Sequence, residues 1–248
     1  METKDQITRN ISLAALVVFG SAIFYSCSSD ENGTSASSQE KDAVDAITYS
    51  LQSDSNGLAK SVESASMYAA DENLYARAVT LECGVPYSAS YDEAWEGTNY
   101  SYDYSISRNT ELSCTAEDTP SSLSYNASHD GVYDTPRMSS DDAAALQWTL
   151  AGLDATSQNA TLDGSYVRNG SQVSKVREQN TFKSTLTYDL TAINVSKTNH
   201  QIVSGSASVA FAGVSSNGNS YNYNGTITFN GNGTATLVIN GNTYTINL

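Results

Sequence analysis

Residues 201–248 contain no Asp, Glu, Lys or Arg. A segment of that length stays in water only if its apolar side chains share one face and small polar ones cover the other. The residue order provides for this. Two runs, Ala235-Thr236-Leu237-Val238-Ile239 and Asn242-Thr243-Tyr244-Thr245-Ile246, alternate with period two on either side of Asn240-Gly241. That dipeptide suits the positive φ angles of a type I′ hairpin turn. Pairing Ile239 with Asn242 sets Leu237 opposite Tyr244 and Ala235 opposite Ile246 on one face. Thr236, Thr243 and Thr245 fall on the other, with Val238 the apolar exception. A slip of one residue would turn every apolar side chain to water, so pattern and turn fix one register.

The same parity test extends upstream. Tyr221, Tyr223, Ile227 and Phe229 are odd-numbered, as are Ala235, Leu237 and Ile239, and a three-residue Gly231-Asn232-Gly233 loop keeps both sets on one face. Val203, Ala207, Val209 and Phe211 form the preceding strand, with a turn at Asn217-Gly218-Asn219. Leu186, Tyr188 and Leu190 are even, whereas Ile193 and Val195 are odd, which places a bulge near Ala192. Leu237 to Ile239 would invite aggregation as an open edge, so these residues are expected to be paired on both sides or covered.

Before this meander, period two begins near Ala78. Strands are expected at Leu81 to Tyr87, at Tyr100 to Ile106, and, after a turn at Arg108-Asn109-Thr110, at Glu111 to Cys114. Leu123, Tyr125 and Ala127 mark another strand, and Leu146, Trp148 and Leu150 the next, after the acidic pair Asp141-Asp142. Tyr166 and Val173 would face each other across an Asn169-Gly170 turn. Ser37 and Glu40 have the spacing of a capping box, followed by Val44, Ile47 and Leu51 at helical spacing, a stop at residues 54–57, and one further helical segment carrying Leu58 and Val62. The predicted fold class is mainly β: an antiparallel meander of about ten strands, rolled into a sandwich or partial barrel, with an N-terminal amphipathic helix.

The start of the chain has a different character. Lys4 and Arg9 precede an uncharged, largely apolar run over residues 11–25, shorter than the ~20 apolar residues of a membrane-spanning helix, and the run ends Phe24-Tyr25-Ser26-Cys27. This resembles a bacterial lipoprotein signal. The resemblance implies removal of residues 1–26 and lipidation of Cys27, leaving residues 27–40 as a flexible Ser-, Gly- and Thr-rich tether and 41–248 as a single domain. Ser28, followed by Asp30 and Glu31, resembles the signals that direct some lipoproteins to the outer membrane and its outer face. The alternatives are an ordinary cleaved signal or a short anchor, with Cys27 incidental.

The formal net charge is −15. From residue 27 to 163 acidic residues outnumber basic ones 23 to 5, and from residue 164 onward the ratio is 2 to 5. Such a balance argues against nucleic-acid binding; it suits a solvated cell-surface protein or, more sharply, one that binds a cation or cationic partner. With Cys27 assigned to lipid, Cys83 and Cys114 are the remaining thiols, and in an oxidising compartment they are expected to pair, both pointing into the core and closing a loop worth about 3 kcal/mol in chain entropy.

No Gly-x-Ser-x-Gly, EF-hand or Cys-x-x-Cys pattern is present, so no catalytic residue, metal site or cofactor is predicted. Asp141, Asp142 and Asp154 have no calcium-loop spacing, and His129 and His200 read as surface loop residues. The sharpest local feature is Tyr91-Asp92-Glu93-Ala94-Trp95-Glu96 with nearby Tyr100. It sets carboxylates beside rings that can stack on sugar faces. The alternative is an acidic loop with Trp95 in the core. Tyr91, Asp92, Glu93, Trp95, Glu96 and Tyr100 are therefore the candidate ligand-binding residues. The expected role is a non-enzymatic, outer-membrane or cell-surface binding lipoprotein for a glycan or an envelope protein. The other readings are a lipid or lipoprotein carrier with an apolar cavity beneath the helix, and a glycan-active hydrolase.

Overall fold

The computed structural model describes residues 36–70 and 81–248. The expected export signal, the expected lipidation site Cys27, and the expected tether as far as residue 35 lie outside the described residues. Two helices come first: α1 (Ser38–Leu51) and, after a 3-10 turn at Ser53–Ser55, α2 (Leu58–Ala69). Ten strands follow: β1 (Pro86–Glu96), β2 (Ser101–Cys114), β3 (Pro120–Asp134), β4 (Met138–Ala151), β5 (Asn159–Ser174), β6 (Thr181–Ser196), β7 (Ile202–Ser215), β8 (Ser220–Gly231), β9 (Thr234–Ile239) and β10 (Asn242–Asn247). They form one antiparallel sheet in strict chain order, and β1 and β10 are its two edges, so the sheet is not closed into a barrel. The helices pack on its inner face.

The C-terminal register is the one the pattern dictates. Ile239 pairs with Asn242, Leu237 with Tyr244 and Ala235 with Ile246, around Asn240 (φ 49°) and Gly241 (φ 79°). Strand β9 is paired on both sides, by β8 and β10. The loop before β9 is tighter than expected. Gly231 pairs with Thr234, leaving a two-residue Asn232-Gly233 turn, and a bulge between Phe229 and Gly231 restores the parity. At Ala192 (φ 50°) the ladder to β7 jumps from Thr191 to Asn194, and Asp163 on β5 accepts a hydrogen bond from the bulged Ala192 N–H at 2.8 Å. Opposite the bulge lies Gly205, where an added Cβ would stand 2.6 Å from Ile193 Cα. Bulge and glycine together let the sheet bend around the helices.

Two expected turns are uninterrupted strand. Arg108, Asn109 and Thr110 lie inside β2, and Asn169 and Gly170 inside β5. In β2 the inward parity runs unbroken through Tyr104, Ile106, Arg108, Thr110 and Leu112, all buried; Arg108 stays inside because its guanidinium lies 3.9 Å from the centroid of the Tyr68 ring on α2. In β5, Gly170 sits directly beside Asp142, where a Cβ would come within 2.4 Å of Asp142 Cβ. Lack of bulk, rather than a turn conformation, is what that glycine supplies. The expected strand from Leu81 to Tyr87 is likewise displaced: β1 starts at Pro86 and runs through Glu96, so Asp92 to Glu96 are strand and not loop.

The core lies between helices and sheet. Ile47, Leu51, Leu58 and Val62 from the helices meet Leu123, Tyr125, Tyr166, Tyr188 and Phe182 from the sheet, all at 2 % exposure or less, each contributing about 1.5–3 kcal/mol by burial. These tyrosines are core residues, and hydroxyl groups bridge helices and sheet: Tyr188 Oη to Ser50 Oγ, and Tyr68 Oη of α2 to Thr110 Oγ1 at 3.1 Å. Ser37 caps α1, accepting from the Glu40 N–H at 3.1 Å. Glu40 does not return the bond as a capping box would. Its carboxylate accepts from Asn242 Nδ2 (2.7 Å), Tyr244 Oη (2.7 Å) and Asn240 Nδ2 (3.2 Å), which ties the helix to the last hairpin. The expected disulfide between Cys83 and Cys114 is present, with the Cα atoms 5.7 Å apart. It lies at the surface beside β1 and β2 and not in the core, since Cys83 is exposed and Cys114 only half-buried.

Candidate binding surface

Strand geometry decides which candidate residues act together. Successive residues of β1 point to opposite faces. Glu93 points inward and is buried; its carboxylate accepts from Tyr102 Oη at 3.4 Å and lies 3.7 Å from Lys60 Nζ of α2. Asp92 and Glu96 point outward, and Asp92 accepts from Ser105 Oγ at 2.7 Å. Asp92 and Glu93 therefore do not face a common ligand. Tyr91 also turns inward, its ring centroid 5.3 Å from the Arg108 guanidinium. The carboxylate and aromatic residues that looked like one cluster divide between the two faces of the sheet.

Trp95 is the exception to inward burial. It is 53 % exposed, and its indole stacks on Tyr100 across the β1–β2 turn, with centroids 6.5 Å apart and planes 22° from parallel. The turn, closed by Gly97 N–H donating to Tyr100 O at 2.9 Å, places both rings at the end of the sheet. Trp95 has the inward parity of Glu93 and Tyr102; on the opposite face Glu96 lines one end of an open trough of about 820 Å³ that crosses β1 to β5.

The register shows how the trough is paved. On the outer face Asp103, Val132 and Asp141 lie side by side on β2, β3 and β4. The neighbouring row runs Glu96, Ser101, Asp134, Ser139 and Val173 from β1 to β5. At ~4.8 Å per strand, Asp103 and Asp141 stand roughly 10 Å apart with Val132 between them. Val132 and Val173 are 46 % and 41 % exposed. Lys175, from the β5–β6 turn, pairs with Asp134; among the described residues Asp103 and Asp141 have no cationic partner. This patch was absent from the candidates because it draws one or two residues from each of five strands, and only the lateral register brings them together.

Directly behind it, on the inner face, lies a buried ionic centre that the sequence did not announce. Arg168 Nε donates to Asp142 Oδ1 at 2.9 Å, Arg168 Nη2 to the Ser55 carbonyl at 3.3 Å, and Tyr104 Oη to Asp142 Oδ1 at 3.0 Å. Arg168 is 3 % and Asp142 5 % exposed. Burial works against the guanidinium charge, but the Asp142 carboxylate and the surrounding tyrosines outweigh it and hold Arg168 protonated. Burial pushes the Tyr104 and Tyr133 hydroxyls well above the ordinary phenol range. His129, expected on a surface loop, is on β3 and buried; burial, with the nearby Arg168 charge, lowers its pKa to about 4, against a partial pull upward from Asp142. His200 is buried too, its Nδ1 2.9 Å from Ser66 Oγ. The Arg168 contact to Ser55 anchors the α1–α2 connection, so the centre positions the helices beneath the patch.

Beneath the helices the sheet is met by the core side chains already named. Among the described residues no group of three or more His, Cys, Asp or Glu side chains is placed to hold a metal ion, and Asp141, Asp142 and Asp154 are dispersed over an outer face, an inner face and the β4–β5 loop. No protein-family model, no curated protein and no solved structure matches this chain.

Proposed function

We propose that this protein is a non-enzymatic binding module of the bacterial cell envelope, held to the outer membrane by a lipid on Cys27, and that it binds a glycan on the Trp95–Tyr100 ring pair at the end of the sheet. The observation that carries the reading is the Trp95–Tyr100 stack at the end of the sheet, its indole half-exposed. A half-exposed indole stacked on a phenol ring offers a flat apolar platform of the kind that takes the C–H face of a sugar.

The chain has two tryptophans, and Trp148 is buried against Tyr125, so ligand-dependent changes in emission report on Trp95. Full-length protein in detergent, titrated with oligomers of glucose and of N-acetylglucosamine, should show saturable quenching that Trp95→Ala and Tyr100→Ala each weaken while the circular dichroism stays the same. Absence of any response, or one unaffected by both substitutions, would refute the site. Release of reducing sugar during the titration would refute the non-enzymatic part. For the anchor, a metabolic fatty-acid label should appear on the protein and disappear in Cys27→Ala.

A further inference from the structure

The ring pair and the start of α1 share one end of the sheet. The up-and-down strand order gathers the β1–β2, β3–β4, β5–β6, β7–β8 and β9–β10 turns at that end, and Trp95 and Tyr100 flank the first of them. Helix α1 begins beside three of the others. Asp42 accepts from Arg177 Nε at 2.9 Å and Asn180 Nδ2 at 3.3 Å in the β5–β6 turn. Asp45 accepts from Arg137 Nη2 at 3.1 Å in the β3–β4 turn, and Glu40 holds the β9–β10 turn through Asn240 and Asn242. Glu40 and Asp42 are buried, so these bonds fix where the helix starts. It finishes at the opposite end, where Gln52 Nε2 donates to the Asn247 carbonyl at the close of β10, at 2.8 Å.

We infer that the glycan taken by the ring pair is borne by the membrane itself, as the sugar headgroup of a glycolipid in the leaflet that holds the lipid on Cys27. The inference rests on the anchor and glycan readings above and adds the source of the sugar. Ten residues separate Cys27 from Ser37, the cap of α1, a reach of at most about 35 Å. Strand β5, with 16 residues, is ~50 Å long at ~3.3 Å per residue. The anchor therefore keeps the end with Trp95 near the bilayer, and the opposite end can stand a strand length farther out. A soluble glycan has to enter between domain and bilayer to reach the rings, whereas a headgroup is already there, at an effective concentration on the order of millimolar. Trp and Tyr, each with an apolar body and a polar tip, suit that headgroup level.

The test uses full-length lipidated protein in phosphatidylcholine vesicles, with and without a glucosyl or N-acetylglucosaminyl lipid. A lipid spin-labelled on its headgroup should quench Trp95 emission. It should quench several-fold less a tryptophan placed in the β2–β3 turn, at the opposite end, by Glu117→Trp in a Trp95→Phe background. The glycolipid should change Trp95 emission at a bulk sugar concentration about 100-fold below that needed of the same saccharide free in solution, and Tyr100→Ala should remove the change. Equal quenching at the two ends, or stronger quenching at Glu117→Trp, would overturn the inference, and a response to the free saccharide in the same vesicles would show that the glycan reading survives it. A glycolipid no more potent than the free saccharide would overturn the membrane source alone. No response to either would overturn the glycan reading and the inference together. The same emission change in vesicles without glycolipid, untouched by Tyr100→Ala, would show the rings entering the bilayer and overturn the saccharide assignment. Vesicle attachment undiminished in Cys27→Ala would overturn the anchor from which the orientation follows.

Discussion

Strands β1–β5 bury Glu93, Arg108, His129, Asp142 and Arg168 on the side that faces the helices, whereas β6–β10 bury no charged side chain there and fill the same space with Phe182, Leu186, Tyr188, Phe211, Ile227, Leu237 and their neighbours. Both halves belong to one antiparallel sheet that continues in chain order from β1 to β10, so they solve one packing problem by different means. The second half is specified locally: alternating apolar residues and glycine-bearing turns leave one register. The first half is specified at long range, by hydrogen bonds and ion pairs that have partners only when the whole sheet and both helices are in place. A polar network of that kind is costly to half-satisfy, and it lies directly behind the acidic trough. The region that departs from simple patterning is therefore also the region that carries the candidate site.

The largest effect should come from breaking the ionic centre. Arg168→Met leaves Asp142 buried with Tyr104 as its remaining donor, and should lower the unfolding free energy by about 3–5 kcal/mol. Arg168→Met/Asp142→Leu removes both charges and should recover much of that loss. Urea denaturation of the three proteins measures this. If the double variant is as unstable as the sum of the two singles, the centre does not act as a pair and the contrast between the halves is misplaced.

A second prediction uses pH, because His129 belongs to the same centre and faces Arg168, Asp142 and the Tyr104 ring at 6.5 Å. Its folded pKa of about 4 lies below the unfolded value of about 6.5. Between those values the unfolded chain binds more protons, so stability rises with pH across that window. The contribution is complete above pH ~6.5 and is lost as the pH falls to ~4, on the order of 3 kcal/mol in all. His129→Gln should flatten the slope of unfolding free energy against pH over that window. An unchanged slope would mean that the imidazole is protonated at no such cost.

The division explains how far each half was legible. In β7–β10 the strand pairing followed from parity and from Asn240-Gly241, because every determinant lies within a few residues of the strand it fixes. Arg108-Asn109-Thr110 and Asn169-Gly170 misled because their local turn chemistry was overridden: Arg108 is held under Tyr68 from α2, and Gly170 is small because Asp142 on β4 occupies its side-chain space. His129 looked like a surface residue for the same reason, since Tyr104 and Arg168, which it faces, are 25 and 39 positions away. Trp95 and Tyr100 were visible as neighbours in the chain. Asp103, Val132, Asp141 and Val173 were not, because lateral neighbours in a sheet leave no trace in local spacing.

A charge from the helices reaches the terminal hairpin, whose own strands carry none. Glu40 accepts hydrogen bonds from Asn240, Asn242 and Tyr244. Burial raises its pKa, but these bonds outweigh burial and leave it below the ordinary value. The folded pKa is depressed, so this stabilisation is present above the ordinary carboxylate range and is lost as the pH falls through the lowered value. Glu40→Ala should cost about 2 kcal/mol at neutral pH, with the loss of hydrogen-exchange protection concentrated in β9 and β10. Loss confined to the first turn of α1 would show that Glu40 serves the helix alone.

The smallest effect separates conformation from space. Gly241 has φ 79° with no atom within 4 Å of an added Cβ, while Gly170 has an ordinary strand conformation and meets Asp142 Cβ at 2.4 Å. At Gly241 only the backbone resists a side chain, so Gly241→Ala should cost about 1–2 kcal/mol, and Gly241→Asn less, since Asn tolerates the left-handed region. At Gly170 tolerance of positive φ is irrelevant and bulk is everything: Gly170→Ala should cost about 1–3 kcal/mol, and Gly170→Asn more than that. The order of Ala and Asn should thus reverse between the two sites. If Asn is the better tolerated at both, Gly170 serves the backbone and not the ionic centre; if Ala is the better tolerated at both, the terminal hairpin is held by packing more than by its turn.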